Sequence, residues 1–187
     1  ELDEFLAKNQ SSVIMNITLA ANAVHSDGAK FLTGGDAEVF IWSLQWRRHK
    51  DNESVLEYDL LQAPHHCSWH SLSEDSWSDL GEDVEVDTDA REALSRARSG
   101  AIIVASCKPI LDDDCDPPCI RAKREYVDIV NAVKGQFFCT GEYPKAGAVE
   151  PLEFTVGEHG LQAPSKKQAA SKIAAVVSSA RTPLPHG

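Results

Sequence analysis

The chain lacks any apolar run near the roughly 20 residues that a membrane-crossing helix needs, so no transmembrane helix is expected. It also lacks a basic excess: 18 Lys and Arg stand against 29 Asp and Glu, a net charge of −11. That balance opposes loose, charge-driven nucleic-acid binding, which needs a basic footprint. It does not oppose a site that cuts nucleic acid, because a bound metal carries its own positive charge. The opening "ELDEF" has no start methionine, basic n-region or apolar h-region, so no signal peptide is expected there. Such an opening suggests a processed chain, a trimmed one, or one piece of something larger. Cysteine is sparse and odd in number: Cys67, Cys107, Cys115, Cys119 and Cys139. Without a secretory signal, reduced thiols in a cytoplasmic protein are the expected state. Cys115-x-x-x-Cys119 could be half of a zinc site, yet no second Cys/His pair stands at finger-like spacing. There is no internal repeat.

What is present is enough for one domain with a core: 187 residues with an ordinary apolar share. "SSVIMNITLA" alternates Val13, Met15, Ile17 and Leu19 with polar or small residues, a strand with one buried face. His25, Asp27 and Gly28 mark a turn, and "KFLTGGD" is a short strand running into glycines. Val39, Ile41, Trp42 and Trp46 predict an amphipathic helix starting beside Asp36. "SVLEYDLLQAP" is a strand stopped by Pro64. The acidic stretch from Ser73 to Asp89 reads as an exposed loop or short helix. "DAREALSRARSG" reads as a helix with Asp89 as a possible N-cap and Gly100 at its end. "AIIVAS" suits a strand buried on both faces, "DDDCDPPC" a loop, and "IRAKREYVDIVNAVKG" a strong helix ended by Gly135. "QFFCTG" and "PLEFTVGEHG" are strands. The expected fold class is α/β over residues 1–161, followed by an Ala/Ser/Lys/Pro-rich tail or helical arm over 162–187.

Two motifs carry chemistry. "FLTGGD" ends in Asp36, and "DLLQAPHHCS" presents His65 and His66. Each is a strand end, where side chains project toward a shared sheet rim, and zinc or manganese accepts mixed oxygen and nitrogen donors. Each residue also has a plainer reading. Asp36 could cap the following helix. His65 and His66 could be turn residues, His70 and Trp69 local packing, and His25 and His49 surface. Cys67 reads as a small packed residue, since no general base or oxyanion motif accompanies it. The basic groups at Arg47–Lys50, Arg121, Lys123, Arg124 and "SKK" read as solvated helix faces, some of which a nuclease would turn to phosphates.

The series "NQSSVIMNITL", "KFLTGGDAE", "YDLLQAPHHCSWHS" and "SGAIIVAS" resembles the C-terminal half of metallo-β-lactamase-fold hydrolases. It is most similar to the branch containing the hydrolase domain of the competence DNA-uptake protein. The resemblance runs from Asn9 to Ser106 and extends toward the helix at Ile120–Lys134. It implies half of an αββα sandwich with two divalent metal ions, zinc or manganese, at the sheet edge. Asp36 would bridge both ions and His66 would be a terminal ligand. His65 would be a neighbour, an alternative ligand or a substrate contact, and Ser68 a turn cap or a group supporting a ligand. A metal-bound hydroxide would attack phosphorus or carbonyl, and the branch points to a phosphodiesterase or nuclease.

The sequence departs from that pattern. The His-x-His-x-Asp-His cluster is absent, Cys67 replaces a glycine, and "CDPPC" puts Asp116 where a histidine is common. Asp36 and His66 alone are too few donors for two ions. The missing ligands are therefore expected on an N-terminal half, either a separate chain or a proteolytic fragment of one precursor. A sheet parted from that half would expose a large apolar face and make the chain poorly soluble alone. The alternative is a degenerate, non-catalytic fold that binds a partner or regulates.

Overall fold

The computed structural model describes residues 11–24 and 28–164. His25 and Asp27, the first ten residues, and the stretch from Ser165 onward, with its "SKK" and the tail or arm, lie outside them. Chain order runs β1 (Met15–Leu19), β2 (Ala29–Thr33), α1 (Val39–His49), β3 (Tyr58–Gln62), α2 (Trp77–Leu80) and α3 (Thr88–Leu94). It continues with β4 (Ala97–Ala105), α4 (Ile120–Ala132), β5 (Gln136–Cys139), and a hairpin of β6 (Thr155–Gly157) and β7 (Gly160–Gln162). The chain is thus α/β. Its main sheet is mixed and five-stranded, with strands side by side in chain order. β1 runs antiparallel to β2, and β2 to β5 are parallel.

That order decides where the helices go. Successive parallel strands always add on the same side, and right-handed crossovers then place every connecting helix on one sheet face. The packing agrees. Leu32, Leu61, Ile103 and Phe137 pair in one row across β2 to β5 and meet the helices in the core. The alternate row of Ile17, Phe31, Leu60 and Ile102 stands outside that core cluster.

The helices bury the residues their spacing predicts. α1 buries Val39 and Trp42, and the Trp42 indole N–H donates to Ala37 O at 3.1 Å. α4 buries Ala122, Tyr126, Ile129 and Val130, one face at helical spacing. The helix predicted over "DAREALSRARSG" is shorter. Its cap is Asp87, not Asp89, accepting from Ala90 N at 2.7 Å, and it stops at Leu94. Gly100 lies inside β4 instead, with its N–H donating to Val133 O at 2.8 Å. Tertiary pairing explains the shift: Tyr58 N donates to Arg96 O at 3.1 Å, β4 pairs with β3 and β5, and Arg98 reaches Asp59 on β3.

The second sheet face is partly covered by the chain's own C-terminal segment. Phe138, which points away from the helices, meets Tyr143 and Phe154 edge-on, with ring centroids 5.9 and 6.2 Å apart. Farther on, the β6–β7 hairpin brings Val156 against Gly28. A Cβ on that glycine would stand 2.7 Å from Val156 Cγ1, so only glycine fits. Residues 140–162 therefore form a strap from β5 to the β1–β2 turn. Ile102 is buried, whereas Met15 and Ile17 on edge strand β1 stay 48% and 39% exposed. The open apolar face expected from the sequence is reduced to that margin.

Candidate metal corner at the strand ends

The candidate site lies at the C-terminal ends of β2, β3 and β4, the rim where open parallel sheets hold ligands. After β2, Gly34 packs flush on the Trp42 ring and Gly35 takes φ 55°, which turns the chain at once into Asp36. Asp36 does not cap α1. The N-cap is Glu38, which makes no side-chain cap bond. The Asp36 carboxylate is thus left at the rim, about half exposed.

After β3, Ala63 N–H still bonds Val104 O on β4 at 2.8 Å, and buried Pro64 ends the pairing. His65, His66 and Cys67 follow with φ of 46°, 54° and 68°, three successive left-handed residues without a glycine among them. Each such residue costs roughly 1–2 kcal/mol, so the turn persists only because its surroundings hold it. His65 N–H donates to Gly35 O at 2.9 Å, which joins the two turns. Cys67 O accepts from Cys119 N at 2.9 Å, and Ser68 Oγ caps the next turn by accepting from His70 N at 3.1 Å. A left-handed φ of this kind is one that glycine adopts most readily.

This turn brings His66, not His65, to Asp36. His66 Nε2 stands 3.6 Å from Asp36 Oδ1. That is too long for a hydrogen bond, but two donors each about 2.1 Å from a tetrahedral ion stand about 3.4 Å apart. His66 Nδ1 lies 2.8 Å from Ser106 O at the end of β4. A carbonyl only accepts, so Nδ1 donates to Ser106 O, and Nε2 is the nitrogen turned toward Asp36. The pair thus supplies two donors at the spacing of ligands to one divalent ion. His65 points elsewhere: its Nδ1 is buried without a hydrogen-bond partner, 4.0 Å from a Glu38 carboxylate oxygen. Among the described residues no group of three or more His, Cys, Asp or Glu side chains is gathered for a metal ion.

The other expected groups fall as follows. Cys67 is fully buried, and burial, aided by neighbouring thiols, pushes its pKa well above the usual thiol range, so it is packing and not a nucleophile. Asp116 is engaged locally: Oδ1 accepts from Trp69 N at 3.1 Å, and Oδ2 lies 4.0 Å from His70 Nε2. Cys115 and Cys119 both line a pocket of about 170 Å³ together with His70 and Asp116. Of the helix-face cations, Arg47, Lys123 and Arg124 pair with Asp89, Glu142 and Asp112, and Arg121 lies over the Trp77 ring. No helix among the described residues is long and apolar enough to cross a membrane. Sequence reading missed two groups at the rim, the Ser106 carbonyl and Glu38. The first acts through its backbone, so no side-chain motif marks it; the second follows Asp36 by two positions, within the same turn. No family model, curated protein or solved structure matches the chain.

Proposed function

We propose that the chain is the C-terminal part of a dinuclear-metal hydrolase of the metallo-β-lactamase type, acting as a phosphodiesterase or nuclease. The remaining ligands would lie on an N-terminal half, either a separate chain or a cleaved fragment. The observation that carries this reading is the meeting of Asp36 and His66 across adjacent parallel strand ends, with His66 Nδ1 held by Ser106 O. Three strained residues in a row support it, since backbone strain of this kind is kept at functional sites. So does the apolar margin of β1, where a second sheet would extend the cover begun by the strap.

In this reading Asp36 and His66 would be among the ligands of the divalent ions, zinc or manganese, and those ions would supply a water activated for attack. This chain's residues position that chemistry. Ser106 O fixes the imidazole, the Gly35 O to His65 N bond keeps the two turns in register, and Ser68 holds the following turn. The phosphodiester preference rests on the resemblance of the Gly-Gly-Asp and Pro-His-His turns to the DNA-uptake branch. With a net charge of −11, and with Arg47 and Arg124 paired to carboxylates, the chain would rely on the ions to meet phosphate.

The test joins the chain to the half encoded upstream, measures bound metal, and assays plasmid DNA with zinc or manganese. Asp36→Ala and His66→Ala should each lose metal and cutting, while Cys115→Ser should keep both. Cutting retained by both rim variants overturns the site. A complete assembly without bound ions favours the second reading, a non-catalytic partner-binding fold, which draws on the absence, among the described residues, of any group of three donors.

A further inference from the structure

We propose that Cys107 and Cys139 form an oxidisable dithiol, which a peroxide converts into an intramolecular disulfide between the ends of β4 and β5. Four of the five cysteines lie wholly or partly inside: Cys67, Cys119 and Cys139 are buried, Cys107 is half-buried, and Cys115 is exposed. They are scattered in sequence, and the sheet gathers them. The β4–β5 register pairs Ala105 with Cys139. Two residues on, the chain turns back over β5 and leaves the Cys107 and Cys139 sulfurs 3.6 Å apart, the one sulfur–sulfur hydrogen bond among the described residues.

The corner is held from both sides. Cys107 N donates to Thr140 Oγ1 at 3.2 Å, and Cys107 O accepts from Gly141 N at 3.0 Å. A disulfide has an S–S distance of about 2.05 Å, so the sulfurs need only close by roughly 1.5 Å. Cys67 and Cys119 are tied through backbone instead. A thiolate-bound metal is the rival occupant of so many cysteines, but no three of them are gathered for one.

The chemistry balances. Cys107, the more accessible thiol, attacks the peroxide: an S–O bond forms, the O–O bond breaks, and water or an alcohol leaves, giving a sulfenic acid. The Cys139 sulfur then displaces that oxygen: the S–S bond forms, the S–O bond breaks, and water departs with the thiol proton. Two electrons and two protons pass from the thiols to the peroxide. Burial pushes the Cys107 thiol up to about 12, with the Cys139 sulfur adding to it. The thiolate is therefore scarce at neutral pH, which makes the step slow there and faster in base. The same high pKa leaves the reduced pair without the thiolate stabilisation that makes some disulfides easy to reduce.

This inference stands apart from the metal reading, since it needs neither Asp36 nor His66. To test it, the full chain is treated with hydrogen peroxide, its remaining thiols are alkylated, and its peptides are mapped by mass spectrometry. The expected product has lost two hydrogens, carries one bridge joining the Cys107 and Cys139 peptides, and reverts with a reductant. Cys107→Ser and Cys139→Ser should each abolish the bridge, and Cys115→Ser should keep it. Because the bridge is mapped on the unaltered chain, a variant that misfolds leaves that result intact. A bridge between another pair, oxidation confined to Cys115, or no bridge even in base overturns the proposal. So does a chain isolated with a metal on these thiols that a chelator must remove before they react.

Discussion

Replacing Cys67 by glycine and, separately, by alanine weighs the histidine turn directly. Cys67 sits at φ 68°, ψ 41° and is fully buried. At a buried position with ordinary backbone, glycine is worse than alanine for two reasons. It loses a carbon from the interior, about 0.8 kcal/mol, and it frees the unfolded chain, roughly 0.7 kcal/mol. The sum is about 1.5 kcal/mol. In the left-handed region a Cβ costs roughly 1–2 kcal/mol, which alanine retains and glycine sheds. The two effects cancel at Cys67, so the variants should agree within about 0.5 kcal/mol. Both should fall below the parent by about 1 kcal/mol, since both lose the buried sulfur. Urea melts with a shared slope measure this. A glycine variant weaker than alanine by the full amount, about 1.5 kcal/mol, would refute the left-handed geometry, and with it the presentation of His66 to Asp36.

Other predictions follow from buried groups. Tyr58 and Tyr126 are both fully buried, but Tyr58 OH donates to Leu94 O at 2.7 Å while Tyr126 OH has no partner. Tyr58→Phe should cost about 1–2 kcal/mol, and Tyr126→Phe should be neutral or stabilising; equal losses in urea melts would contradict this. Bridging Cys107 to Cys139, 32 positions apart, should raise stability by roughly 3–4 kcal/mol in melts with and without reductant; an unchanged midpoint counts against it. With its pKa pushed up to about 12, Cys107 gains thiolate as pH rises, so the bridging rate should climb about tenfold per pH unit from neutral toward that value. A plateau near the ordinary thiol value, about 8.5, would show a Cys107 that is not desolvated.

Much of this was legible in the sequence, for local reasons. Gly34–Gly35 before Asp36 and Pro64 before the histidines are turn signals that act within a few residues, so both strand ends could be placed. The apolar spacing of Tyr126, Ile129 and Val130 marked the α4 face. What was not legible depends on distant partners. The segment after Leu94 reads as helix by propensity, yet backbone pairing with β3 and β5, distant in sequence, commits it to strand β4. His65 and His66 look equivalent as neighbouring letters, and only the left-handed turn sends one to Asp36 and the other toward Glu38. Cysteines 32 positions apart meet because two strands pair in a given register, which no spacing rule reveals.

The strap has a consequence for the order in which the molecule is made. The five strands add to the sheet one after another in chain order, so each can dock on an edge already present as the polypeptide lengthens. The turns bearing Asp36 and His66 follow β2 and β3, and the second is fully held only once Cys119 N reaches Cys67 O. Residues 140–162 come last among the described residues, and they return to Gly28 near the beginning. Until they emerge from synthesis, the second sheet face stays bare. Under the proposed two-part reading, a partner half that arrived during synthesis would meet an open apolar surface, and one that arrived later would meet a face already partly closed.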